Sequence, residues 1–215
     1  LMTSETPPWD MYIPKAYRAD DPVAIIAEHP FGQLVTSSDG LPYATAIPMY
    51  LDVAPDGSTE LIGHMARHNP HAATLQAGQN ALAIFNGPNA YISASWYAER
   101  PTVPTWNYVA AQVRGVLTPV DDDDAQLAIM RTTIAESEAD SGSSWLIEHA
   151  PDGKVETLLP HIRSFRIAIT RMDAVSKLSQ THPAGDQQRV VQALEMRGGV
   201  QDREIARLMR GLRKD

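Results

Sequence analysis

The chain has 215 residues, a formal net charge of −8 and no cysteine. Its length suits one compact domain with a small appendage, and the missing cysteine excludes disulfides, thiolate metal sites and cysteine nucleophiles together. The acidic balance removes any global attraction to nucleic acid, no apolar run is long enough to span a bilayer, and no basic-then-apolar leader is visible, so a cytoplasmic protein is expected.

Residues 1–10 are polar and proline-bearing and are expected to be flexible. Ile13 precedes Pro14, which favours extended backbone. Asp21-Pro22 supplies an N-cap and an N1 proline for a short helix over Val23 to Glu28. From Phe31 the pattern changes to strands. Gln33–Thr36 and Tyr43–Leu51 flank the hairpin signal Ser38-Asp39-Gly40. Pro55-Asp56-Gly57-Ser58 marks a second turn, and Glu60–Met65 is a third strand. Ala81–Phe85 and Ala90–Ser93 read as two strands joined by Asn86-Gly87-Pro88-Asn89. Trp106–Leu117 is a long sixth strand. Short strands at this spacing argue for a barrel or sandwich.

Asp121 to Asp124 opens a helix on which Leu127, Met130 and Ile134 recur at helical spacing, the acids complementing the dipole. Ser137–Ser144 reads as a polar loop. Pro160 argues against a continuous helix from Trp145 to Arg163. Ser164–Thr170 alternates as a returning strand, with Phe165, Ile167 and Ile169 on one face. Pro183 onward is helical, interrupted at Gly198-Gly199. Residues 11–182 thus form the principal domain and 183–215 a helical segment packed on it.

Three segments could carry chemistry. Gly63-His64-Met65-Ala66-Arg67-His68-Asn69-Pro70 runs from a strand into a helix start, with Asn69 as N-cap, Pro70 at N1 and a helix over His71–Ala77 stopped by Gly78. Free amides at a helix start attract an anion, and a guanidinium can grip two phosphate oxygens. The same residues also describe an ordinary capped helix beside a surface arginine. His64, His68 and His71 do not share a helical face, so no metal site is expected. In the second segment, Tyr91, Trp96, Tyr97, Trp106 and Tyr108 cluster around the loop Ala98–Val103. They could pack a core or wall a planar ring, with Ser93 and Asn107 orienting it. The third, Lys177-Leu178-Ser179-Gln180, offers Lys177 as a charge, against its usual fate as a solvated lysine.

Taken in order, Met11-Tyr12-Ile13-Pro14, Gly63–Pro70, Phe85–Ser93, Ser95-Trp96-Tyr97, Pro104–Tyr108 and Lys177–Gln180 resemble the FMN-binding negative transcriptional regulator family, the PaiB-like proteins. The resemblance implies an α+β, mainly β fold: a split β-barrel of the pyridoxamine-phosphate-oxidase-like, FMN-binding type, with peripheral helices. It implies a homodimer with the flavin at the subunit interface. Its phosphate loop would be His64, Met65, Ala66, Arg67 and Asn69. Thr36, Ile47 and Pro48 on the second and third barrel strands, with Ser93, Trp106, Asn107, Gln112, Lys177 and Gln180, would complete the cofactor contacts. Two departures stand out: Thr181-His182 where relatives tend to carry Asn-Arg, and Ala94 where they tend to carry proline.

The use of the flavin is open at this level. The family implies repression of transcription, and Arg203, Arg207, Arg210 and Lys214 form a basic stripe that could meet DNA or be a solvated helix face. A flavin-dependent oxidoreductase or flavin reductase is the alternative, and a haem-binding split barrel with His64 or His68 as ligand is the third.

Overall fold

The computed structural model describes residues 10–54 and 56–212. The expectation for residues 1–9, and those for Pro55 and Lys214, lie outside the described residues.

Six strands form the sheet: β1 (Phe31–Ser38), β2 (Leu41–Val53), β3 (Thr59–Ala66), β4 (Gln79–Ile92), β5 (Thr105–Val120) and β6 (Ile162–Lys177). Their order is β1-β2-β3-β6-β5-β4, closed into a barrel. β1 pairs antiparallel with both β2 and β4, and β3 with both β2 and β6. The β1–β2 hairpin turns on two residues, because Ser38 opposes Leu41 and both Asp39 (φ 52°) and Gly40 (φ 77°) are left-handed. That is the type I′ geometry the Asp-Gly pair selects.

Among the described residues six α-helices accompany the strands: α1 (Pro22–Glu28), α2 (Pro70–Thr74), α3 (Asp123–Asp140), α4 (Lys154–Leu158), α5 (Ala184–Arg197) and α6 (Val200–Gly211). Asp21 accepts the Ala24 amide at 2.9 Å and Asp122 accepts that of Ala125 at 2.9 Å, the expected caps. Among the described residues no helix is long and apolar enough to cross a membrane.

The chain divides into two compact units. The hairpin unit comprises Ile26–Phe85 and Gln112–Met172. It buries Leu34, Met49, Leu61, Phe85, Phe165 and Ile167 completely. On α3 the buried side chains are Gln126, Ile129 and Thr133, and Ile129 packs with Tyr50 and Ile62. Of the described residues, the helical unit comprises 10–25, Asn86–Ala111 and 173–212. Ile92, Tyr97 and Leu178 pack there with Val190, Leu194 and Ile205 of α5 and α6.

Three departures from the sequence reading have physical causes. Asn86 to Asn89 is not a turn but the middle of β4. Buried positions run Ala81, Ala83, Phe85 and then Pro88, Ala90, Ile92, so the alternation slips by one residue across the Asn-Gly-Pro stretch. A strand bulge uses turn-like residues for such a slip. Ser137 to Asp140 is helical rather than loop, because the Ser137 hydroxyl donates to the Thr133 carbonyl at 2.8 Å and meets Tyr50 at 2.5 Å instead of breaking the helix. α2 stops at Thr74 rather than Ala77; Leu75 turns extended and is buried, and Arg163 takes the carbonyls of Ala72 and Leu75 at 2.5 and 3.2 Å.

Candidate functional site

The residues proposed from sequence fall on both units. In the hairpin unit, the Gly63–Pro70 segment leaves β3 and enters α2. Gly63 is required by packing: a Cβ there would lie 2.7 Å from the Phe165 ring and 3.1 Å from Met49. Met65 is buried, while Ala66, Arg67 and His68 are exposed. The loop's amides are largely committed. Arg67 N–H donates to the His161 carbonyl at 2.8 Å, and Asn69 N–H to Ala66 at 3.0 Å. The Asn69 side chain caps the His71 amide at 3.0 Å. The chain therefore presents guanidinium groups at this loop more than open helix-start amides.

Arg67 lies flat against backbone. Its Nε donates to the carbonyls of Pro160 and Ile162 at 3.0 and 3.1 Å, and its Nη1 is 3.5 Å from Asp121. Arg163 grips the same carboxylate with two nitrogens, each at 3.0 Å. The Arg163 hydrogen bond, then the Arg163 and Arg67 charges, hold the Asp121 carboxyl below the usual carboxylate range. Two guanidiniums share one carboxylate, so this cluster is net positive and its Arg67 side chain is 39% exposed.

Behind the loop, His71 is 2% exposed. Its Nε2 is 2.9 Å from the Thr36 hydroxyl and its Nδ1 is 2.8 Å from that of Thr45, while Tyr43 stacks on its ring. Asn69 donates to the same Thr45 hydroxyl at 3.1 Å. The structure thus brings Thr36 and Asn69 together through His71, a residue the sequence reading assigned no role. The only signal for it was its place just after the Asn-Pro cap. Burial pushes the pKa of His71 down and that of His64 down as well, so both imidazoles favour the neutral form. The Nδ1 of His64 is buried without a partner among the described residues. Ile47 is buried and Pro48 half-buried at the β1–β2 pairing, opposite Gly32 and Phe31. Gln112 accepts from Arg114 of its own strand at 2.9 Å.

In the helical unit, Trp106 is 53% exposed and meets Tyr91 edge-on at 5.8 Å. A cleft of 280 Å³ lies against Trp106 and Tyr108, with Asn86 and Asn89 on its wall. Ser93 caps the turn Ala94–Trp96. Asn107 is fully buried, donating at 2.9 Å to the hydroxyl of Ser179, which is left-handed at φ 61°. Gln180 closes the same turn, accepting from Leu178 N–H and donating to the Ser176 carbonyl, both at 2.7 Å. Asn107 and Gln180 therefore build the Lys177–Gln180 turn. Lys177 donates to Thr105 at 2.5 Å and stands 5.7 Å from the centre of the Tyr17 ring.

Residues 11–171 match the family described as "Putative FMN-binding domain". This chain belongs to that family. Among curated relatives of the PaiB-like family it is similar to the Protease synthase and sporulation protein PAI 2 of Bacillus subtilis, with 33% identity over 93% of this chain and 96% of that protein. It is also similar to an uncharacterised protein of Emericella nidulans, with 30% identity over 93% of this chain and 96% of that one. Among solved structures, the FAD and heme binding protein from Mycobacterium smegmatis superposes with a TM-score of 0.56 at 16% identity, covering 82% of this chain and 76% of its own. The flavocytochrome Anf3 from Azotobacter vinelandii gives 0.55 at 12% identity, over 74% and 67%. These likenesses establish the shared split-barrel fold of the PaiB-like family.

The donor set of the hairpin unit suits an anionic cofactor phosphate. The Arg67–Arg163–Asp121 cluster keeps one positive charge uncompensated, and the neutral, unpartnered His64 Nδ1 stands on the strand leading into the loop.

Proposed function

We propose that this PaiB-like protein binds FMN, with the phosphate held by Arg67 and the His64–Asn69 loop. The observation that carries this reading is the pair of arginines sharing Asp121 beside that loop. A dianionic phosphate gains charge-assisted hydrogen bonds from the guanidinium of Arg67. His71 positions the loop through Asn69 and Thr45, and its burial favours the neutral imidazole, leaving the positive charge at the loop to the arginines. Thr36, Ile47, Pro48 and Gln112, and from the helical unit Ser93, Trp106, Asn107, Lys177 and Gln180, remain the assignments the family resemblance supplies for the rest of the cofactor. Bound flavin would supply one- or two-electron redox chemistry, with the chain providing position and electrostatics.

We place the flavin in a homodimer, as the family resemblance implies, with the cofactor at the subunit interface, and the protein in the cytoplasm, as its lack of a visible leader suggested. Two uses follow: a flavin-sensing regulator or a flavin-dependent oxidoreductase. In the α6 stripe Arg207 pairs with Glu204 and Arg210 with Glu195, whereas Arg203 donates to the Gly198 carbonyl and keeps its charge.

The test is an absorbance spectrum with an FMN titration. Purified protein should show flavin bands and no Soret band, and Arg67→Ala should weaken FMN by about 10- to 100-fold, the loss of one charged hydrogen-bonding group of ~1.5–3 kcal/mol. A colourless protein that takes up no FMN would overturn the reading.

A further inference from the structure

We propose that Arg100, Tyr17 and His182 form a binding site for a small oxyanion, a phosphate or carboxylate group of a ligand distinct from the flavin phosphate. All three belong to the helical unit. Arg100 and Tyr17 both reach Thr181. The guanidinium of Arg100 donates to the Thr181 carbonyl. The Tyr17 hydroxyl lies 3.4 Å from the Thr181 hydroxyl, and Lys177 stands over the Tyr17 ring. His182 follows directly, its ring stacked on Tyr97 with centroids 4.5 Å apart and planes 12° apart. Its Nδ1 is buried and has no partner among the described residues.

The charge balance points to an anion. The nearby carboxylates are committed elsewhere. Asp186 accepts the amides of Ala98, Glu99 and Arg100 at 2.7, 3.0 and 2.8 Å. Arg189 pairs with both Asp186 and Glu99, at 2.7 and 3.1 Å. Among the described residues no carboxylate lies within ion-pair distance of Arg100 or Lys177. Arg100 is left beside Thr181 with no carboxylate partner among the described residues, and the basicity of His182 is depressed by burial first, then by Arg100, with Lys177 adding to it against Asp186. An oxyanion would relieve this repulsion and accept from all of these donors.

The cations also sit on fixed backbone. The three amides bound by Asp186 pin the segment that carries Arg100. Gln180, with the buried Asn107–Ser179 pair, fixes the turn that follows Lys177. Recognition groups held this way lose little freedom on binding.

The experiment follows the His182 imidazole by NMR in the full chain, loaded with FMN, while inorganic phosphate or acetate is added. Saturable shifts of the His182 resonances at millimolar anion, with its titration displaced to higher pH, are expected. Response to phosphate alone identifies a phosphoryl ligand, and response to both a site that also accepts carboxylates. Arg100→Gln should weaken the anion by about ten-fold or more, and Arg100→Lys should restore part of it. Arg67→Ala should leave the His182 response intact. The proposal fails if His182 does not respond to either anion. It also fails if Arg100→Gln weakens FMN as strongly as Arg67→Ala, because the flavin phosphate itself would then fill the cluster.

Discussion

Around Arg67 and Arg163 a carboxylate stands between the cations, whereas around Arg100 and Lys177 the carboxylates are taken by a third arginine. In the hairpin unit the result is a partly neutralised, structurally tied pair of guanidiniums. In the helical unit it is a pair of cations whose acceptors, among the described residues, are a carbonyl and a hydroxyl. Counting basic residues would score the two alike. What separates them is where the acids go, and one buried aspartate decides that in the helical unit.

Asp186→Ala should therefore give the largest effect in either cluster. It frees three backbone amides and Arg189 at once. The urea midpoint should fall further than for any other substitution named here, and the anion response at His182 should be lost with the loop. Burial alone would raise the Asp186 carboxyl, but the amides and Arg189 outweigh it and hold its pKa far below the ordinary value. A depressed carboxylate stabilises the fold above its unfolded pKa of about 4, and that stability drains away as pH falls below it. An unchanged midpoint in Asp186→Ala would erase the contrast drawn above.

Arg163→Ala comes next. It removes donors from the carbonyls of Ala72 and Leu75 and half of the grip on Asp121. Loss of a largely buried charged donor costs about 2 kcal/mol, read as a shift in denaturant midpoint at constant slope. An equal loss in Arg67→Ala, whose side chain is more exposed, would show that the two arginines are not divided into a structural and a binding member.

The smallest effect concerns protons. His71 is neutral because it is buried, so the unfolded chain binds a proton near pH 6.5 that the folded chain resists. Its contribution is complete above that pH and is lost as pH falls through it. His71→Gln should flatten the fall of unfolding free energy between pH 7 and pH 5. A slope identical to that of the parent would mean that His71 is protonated within its threonine pair.

Much of the barrel was legible because its signals are local. Asp39-Gly40 dictates a two-residue turn, and Asp21, Asn69 and Asp122 announce helix starts that the structure contains. The phosphate-loop segment was legible as a motif, but not the reason for each letter. Gly63 answers to the Phe165 ring, and Arg67 answers to carbonyls far along the chain at Pro160 and Ile162. Arg163 escaped notice, and Asp121 and His71 were read only as a helix start and as a rejected metal ligand, because their importance comes from partners distant in sequence. Asn107 and Gln180 read as polar groups for a ligand, yet both shape a turn around left-handed Ser179. Period and capping reveal elements; they do not reveal which polar atom has already found its partner.

The slip in β4 has a consequence of its own. Upstream of Asn86 its odd-numbered residues point inward, and from Pro88 its even-numbered ones do. The strand works like a hinge pin with two keyed ends, each cut for a different lock. Deleting a single residue between Asn86 and Pro88 would restore plain alternation and leave Ala90 and Ile92 inward, whereas a deletion elsewhere in the strand would turn one of its ends outward. The slip is thus the one stretch of β4 where a lost residue leaves the facing of both ends intact.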